Sequence, residues 1–186
     1  MRHPLLLLVT AAFMLTLQAC ATREANLVRS NHAAADNLLT MASASLDKAK
    51  PLLVASLMDV GDLTSTSRFG RITADMLASR LAQNGYTVLE IKLDRENLYT
   101  LTGTGEMLLS NALRNLSATV GAQAVLIGTY APASERVFVS AKLVRASDNV
   151  ILAAEDYSLP HGRDVAALID PDTAVMAVGP NYRIAP

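Results

Sequence analysis

The sequence is short of nearly every side chain that usually marks a chemical site. Among 186 residues there are one cysteine, three histidines and no tryptophan. A single thiol excludes an internal disulfide framework and any zinc or iron–sulfur centre built from several cysteines. Three Phe and five Tyr are too few for a base-stacking platform. An excess of positive charge is also missing, since the formal net charge is -1. Nucleic acid and polybasic membrane binding both need a basic field, so neither is expected. His3, His32 and His161 belong to no His-x-x-x-His or His-Glu pair, which leaves a metal site without a first pair of ligands. A Gly-x-Ser-x-Gly elbow and a Walker-type phosphate loop are absent too. With no paired acids, triad or metal spacing, an enzyme is not expected, and neither is a cofactor.

Apolar material is plentiful, at 51% of residues. The length suits about one domain, which would bury roughly 70% of its unfolded surface. Part of the apolar excess lies at the N-terminus. Met1-Arg2-His3 is a short basic start, and Leu5 to Leu17 follows without a charge. That run is shorter than the ~20 residues of a bilayer span and has the form of a secretory signal. It ends Leu17-Gln18-Ala19-Cys20, which resembles a bacterial lipobox. The resemblance implies cleavage between Ala19 and Cys20, a diacylglycerol on the Cys20 thiol and an acyl chain on its new amino group. Several chains anchor stably, because each buried CH₂ adds about 0.8 kcal/mol. The alternative is an ordinary signal cut after Ala19, leaving a free thiol; the position of the sole cysteine favours the anchor. Ala21 replaces the Asp that retains such proteins in the inner membrane, so the expected location is the outer membrane, facing the periplasm.

Four segments organise the chain: a signal peptide 1–19, a lipidated tether 20–30, a domain 31–158 and a tail 159–186 that is loose apart from one possible turn near Asp164 to Ile169. Ala34, Leu38, Met41 and Ala42 predict a helix over 31–45, ended by Lys50-Pro51. Leu52 to Met58 reads as a buried strand, followed by a polar loop to Ser67. Phe69 to Asn84 is the clearest helix, with Phe69, Ile72, Met76, Leu77 and Leu81 on one face and Asn84-Gly85 as its left-handed stop. Tyr86 to Leu93 is a strand with mixed faces, and Asp94 to Thr104 is polar and irregular. Glu106 to Val120 predicts a helix with Leu109, Ala112, Leu113, Leu116 and Val120 inward, closed by Gly121. Three strands follow, over 124–130, 136–144 and 150–157, with a turn at Ser147-Asp148-Asn149. The order α-β-α-β-α-β-β-β is that of a mixed α/β (α+β) protein. It favours parallel pairing early, an antiparallel meander late, and one mixed sheet covered by helices.

Few residues stand out chemically. Gly103-Thr104-Gly105 reads as a flexible turn at a helix start rather than a nucleotide loop, because Leu108 takes the place of a third glycine. His161 with Asp164, Asp170 and Asp172 is the one cluster with cation-binding residue types, and the ordinary solvation of carboxylates in a polar surface loop explains it better. Arg68 and Arg71 flank Phe69-Gly70 at a helix start, where cations oppose the dipole. They read either as a solvated face or as a partner contact. Phe138 sits on an otherwise polar strand face, either covered by a helix, which is the favoured expectation, or open to a partner.

Between Leu52 and Tyr157 the pattern becomes specific. Ser67-Arg-Phe-Gly-Arg71 opens a helix, Gln83-Asn-Gly-Tyr-Thr-Val-Leu-Glu-Ile91 turns it into a strand, and Val120-Gly-Ala122 closes the next helix. Val125-Leu-Ile-Gly-Thr-Tyr130 and Val137-Phe-Val-Ser-Ala-Lys-Leu-Val144 complete the series. In order and spacing, with the lipobox, this resembles the FlgO family of flagellum-associated outer-membrane lipoproteins. It departs at Lys142 and Arg145, where the family often carries Arg and Asp. The arrangement also resembles CsgG-like and TolB-N-terminal-like domains. The resemblance implies a non-catalytic lipoprotein supporting flagellar assembly and motility through contacts with basal-body or other envelope proteins. A general envelope adaptor for secretion or cell-wall machinery is the alternative. A homo-oligomer is compatible with either. Arg68, Phe69, Gly70, Arg71 and Phe138 are the candidate partner contacts, beside the lipidation site Cys20.

Overall fold

The structure, a computed structural model, describes residues 25–63, 65–91, 99–101 and 107–170. The expected mixed sheet covered by helices is present. Strands β1 (Leu52–Ala55), β2 (Met58–Asp59), β3 (Val88–Ile91), β6 (Ala124–Pro132), β7 (Arg136–Arg145) and β8 (Ile151–Pro160) form one six-stranded sheet. Its order is β3-β1-β6-β7-β8, with β2 continuing the line of β1 along β6. The β3, β1 and β6 strands run parallel, whereas β6, β7 and β8 form an antiparallel meander. Helix crossovers are what parallel neighbours require, and tight turns suffice for the meander. A separate two-stranded ribbon joins β4 (Tyr99–Leu101) to β5 (Met107–Leu109).

Helices α1 (Leu27–Ala42), α2 (Arg68–Gln83) and α4 (Arg163–Ile169) lie on one face of the sheet. There Leu38, Leu77 and Leu81 pack with Leu52, Leu126, Val139 and Leu143 in the larger core. Helix α3 (Asn111–Val120) covers the other face only near β1 and β6, where Leu113 meets Leu53, Val125, Ile127 and Val144. The strict alternation of β7 is realised, with Val137, Val139, Ala141 and Leu143 all buried beneath the helices.

Several boundaries differ from expectation for local reasons. Helix α1 starts at Leu27, inside the segment read as tether, because the Asn26 side chain accepts from the Arg29 amide at 2.9 Å and caps it. It ends at Ala42, well before Pro51, and Met41 faces solvent. In α2 the buried stripe runs through Phe69, Thr73, Ala74, Leu77, Ala78 and Leu81, leaving Ile72 and Met76 half-buried. Helix α3 starts at Asn111 rather than Glu106. Ser110 caps it by accepting from the Leu113 amide at 3.2 Å, and Met107–Leu109 is spent on pairing with Tyr99–Leu101. Leu109 is therefore a strand residue, and Val120 is exposed. Gly85 and Gly121 hold φ of +88° and +67°, so both predicted helix stops are left-handed. The predicted turn is also seen, with Asn149 at φ 63°.

The tail expectation is corrected. Leu159 and Val165 are fully buried, and α4 packs on α2, so residues 159–169 belong to the domain. Residues 171–186 lie outside the described residues.

Polar contacts tie the helical layer together. The Tyr157 hydroxyl on β8 donates to Asn31 Oδ1 on α1, and burial pushes that phenol's pKa upward, with Glu155 adding to the shift. Arg80 on α2 donates to both carboxylate oxygens of Asp36, at 2.8 and 2.9 Å. Those hydrogen bonds hold the Asp36 carboxyl below its ordinary range.

Candidate functional site

Among the described residues, the meander leaves part of the sheet uncovered. On the face away from α1 and α2, β6, β7 and β8 present Thr129, Ala131, Phe138, Ser140, Asp156 and Ser158. Register puts Ala131 opposite Phe138, Phe138 opposite Ser158, and Ser140 between Thr129 and Asp156. These residues and Val60 line a shallow groove of about 430 Å³. Phe138 is 54% exposed and Val60 57%. Phe138 is thus not covered by a helix among the described residues. Helix α3 is only ten residues long and stays over β1 and the start of β6.

Val60 is brought to the groove by β2. Its amide donates to the Tyr130 carbonyl at 2.9 Å, which fixes the turn after Asp59 to the end of β6. That turn is tightened by the Gly61 amide donating to Asp59 Oδ1 at 2.7 Å. Arg136, two residues before Phe138 on β7, donates to Ser158 Oγ at 2.8 Å. Two exposed apolar side chains beside the exposed acid Asp156 suit contact with another macromolecule.

The other predicted contact residues separate. Phe69 is fully buried and meets Tyr130 edge-on, with centroids 5.3 Å apart, and Gly70 is buried too. Neither is available as a surface contact. A β-carbon on Gly70 would overlap the Leu57 carbonyl and the Thr66 hydroxyl, so the glycine serves close packing at the helix entry. Tyr130 completes that entry, its hydroxyl accepting from the Ser67 amide at 3.0 Å. Arg68 and Arg71 remain exposed, at a second cavity of about 320 Å³ between α2, β1 and β3. The structure does not bring them to Phe138. Ala19 and Cys20, and the Gly103–Gly105 turn, lie outside the described residues.

His161 Nδ1 is 2.7 Å from the Ala133 carbonyl, a tie between β8 and the β6–β7 turn. Among the described residues, no three His, Cys, Asp or Glu side chains gather to hold a metal ion. No helix among them is long and apolar enough to cross a membrane. Sequence reasoning missed Val60, Ala131 and Asp156. Their place beside Phe138 depends on strand register, of which no single strand carries a sign.

Comparison with known proteins agrees with this architecture. A family model described as FlgO protein matches residues 32–164. No curated protein matches the sequence. The LpoB C-terminal domain from Salmonella enterica superposes with a TM-score of 0.52 at 16% identity, covering 72% of this chain and 97% of its own. That likeness shows a shared fold. The LpoB C-terminal domain from Escherichia coli gives 0.42 at 15% identity, covering 67% and 96%. Lipoprotein GNA1162 from Neisseria meningitidis gives 0.42 at 17% identity, covering 70% and 99%.

Proposed function

The chain belongs to the FlgO family, and from that premise we propose a non-catalytic outer-membrane lipoprotein that supports flagellar assembly and motility through protein contacts. Acyl chains on Cys20 hold it to the membrane, with the domain on the periplasmic side. The observation that carries the contact role is the uncovered sheet face, where Phe138 and Val60 stand exposed around a groove. Exposed apolar side chains around a groove with a polar rim form the kind of surface that serves a partner.

The anchor and the surface work together. Confinement to a membrane raises the local concentration of the domain near any outer-membrane structure, so a modest patch can suffice for binding. Helix α1 begins six residues after Ala21, so the domain stays close to the bilayer. The partner class is a protein of the flagellar basal body.

A clean deletion strain tests the proposal. Its swimming ring is expected to be smaller and to be restored by the intact gene. An unchanged ring would overturn the flagellar role and move the search to secretion and cell-wall machinery.

A further inference from the structure

Strand β8 ends the sheet and, among the described residues, pairs only with β7. One hydrogen bond fixes which of its backbone groups face outward. The His161 amide donates to the Glu135 carbonyl at 2.8 Å, and the register continues with Val137 opposite Leu159 and Val139 opposite Tyr157. Bonded and non-bonded pairs alternate along an antiparallel ladder. Leu159, Tyr157, Glu155 and Ala153 therefore turn their backbone groups to β7, and Ala154, Asp156 and Ser158 turn theirs to the free edge. Arg136 Nη2 donates to the Ser158 carbonyl at 3.1 Å, so the open run is the three amides with the carbonyls of Ala154 and Asp156. Long open edges are usually blunted by bulges, proline or charge. Here the irregularity lies at one end, between Leu143 and Val144 in the pairing, and Pro160 lies at the other. The middle of the edge carries only the acids Glu155 and Asp156.

We propose that this edge takes up an extended basic segment of a partner protein, which adds a strand beside β8, pairs with Ala154, Asp156 and Ser158, and sets a Lys or Arg opposite Asp156. Charge selects that occupant. Asp156 is exposed and makes no ion pair among the described residues, although Lys142 stands diagonally across on β7. Glu155 is tied to α1, accepting from Asn37 Nδ2 at 2.9 Å. A cation directly across from Asp156 is a stabilising cross-strand pair, whereas a like charge there is destabilising. The same acids turn away a second copy. Two-fold antiparallel pairing of β8 with itself at near-full overlap sets Asp156 opposite Asp156, or Glu155 opposite Glu155. Strand β3, at the other end of the sheet, carries the exposed acid Glu90. Asp156 and Ser158 also line the groove around Phe138, so an added strand continues the uncovered face. In such strand addition the backbone supplies affinity and alternate side chains supply specificity. The inference rests on the contact role proposed above and gives the partner's chemistry, but it does not require that partner to be flagellar.

The test is amide hydrogen exchange on the mature lipidated chain in a nonionic detergent, with a synthetic peptide of alternating lysine and valine as the probe. A peptide of alternating glutamate and valine is the control. At saturating lysine peptide, the amides of Ala154, Asp156 and Ser158 are expected to exchange at least tenfold more slowly, with those of Ala153, Glu155 and Tyr157 unchanged. The glutamate peptide is expected to protect none of them. Asp156→Lys is expected to reverse the preference, which a change in stability alone would not do. Asp156→Pro removes an amide that β7 does not use, and is expected to abolish protection by either peptide. No protection by the lysine peptide, or equal protection by both peptides, would overturn the proposal. Protection that appears without peptide and grows with protein concentration would overturn it in favour of a second copy. Motility enters none of these readouts, so a failure here is distinct from a failure of the flagellar reading.

Discussion

The hydroxyl of Tyr157 on β8 donates to the buried side-chain oxygen of Asn31 on α1. One hydrogen bond thus locks the last strand of the sheet to the first helix of the domain. Asn31 is itself held by its amide, which lies 3.2 Å from Met76 Sδ on α2. Tyr157→Phe leaves the Asn31 oxygen buried without its donor, at a cost of about 1–3 kcal/mol. The pH dependence has a definite sign. Burial raises the Tyr157 pKa, so folding binds this proton more tightly. Its contribution is whole below the ordinary tyrosine range near 10 and declines as pH climbs above it. Denaturant titrations from pH 8 to 11 should therefore show the native protein losing stability more steeply than the Phe variant.

The Asp36–Arg80 fork between α1 and α2 has the opposite sign. Hydrogen bonding from Arg80 lowers the Asp36 pKa, so the stabilisation exists above the ordinary carboxylate range and fades as pH falls through the lowered value. Both side chains are more than a third exposed, and solvent screening keeps the effect small. Asp36→Asn is expected to lower the urea midpoint slightly at pH 7. The difference from the native protein should shrink as pH falls below the ordinary carboxylate range.

The entry to α2 is expected to be the most sensitive point of the fold. Phe69→Ala removes a fully buried ring from its contact with Tyr130 and should cost about 3–5 kcal/mol. Gly70→Ala adds only one carbon, yet that carbon meets the Leu57 carbonyl and the Thr66 hydroxyl. Overpacking of this kind costs about 1–3 kcal/mol. Thermal unfolding of the two variants checks both figures, and a neutral Gly70→Ala would show that the entry can shift.

Cys20→Ser removes the acceptor of the lipid without touching the domain. The variant should leave the membrane fraction, while its circular dichroism and unfolding midpoint match those of the native domain. Unchanged membrane fractionation would refute the anchor.

Much of this fold was legible in the sequence because its signals are local. The alternation of Val137, Val139, Ala141 and Leu143 needs only one strand to be read, and Gly85 and Gly121 mark their own helix ends. Signals that depend on distant partners were not legible. Met107–Leu109 looks helical until Tyr99–Leu101 is seen to pair with it. The residues around α4 lack a long period, yet Val165 is buried because β8 delivers it to the helical layer. Phe69 and Phe138 illustrate the same limit. Both are lone aromatics near polar residues in the chain. Helix packing buries the first, whereas the reach of α3 leaves the second exposed.

Phe138 is consequently the residue on which the functional account turns. Its substitution by aspartate should change stability little, within about 0.5 kcal/mol, because the side chain is a surface one. The decisive measurement is the swimming-ring diameter of a deletion strain complemented with Phe138→Asp, at native protein level and with native membrane fractionation. The account predicts a ring as small as that of the deletion strain, against full restoration by the native gene. A ring restored to native size by Phe138→Asp would contradict it, since the uncovered sheet face would then not be the surface that supports motility.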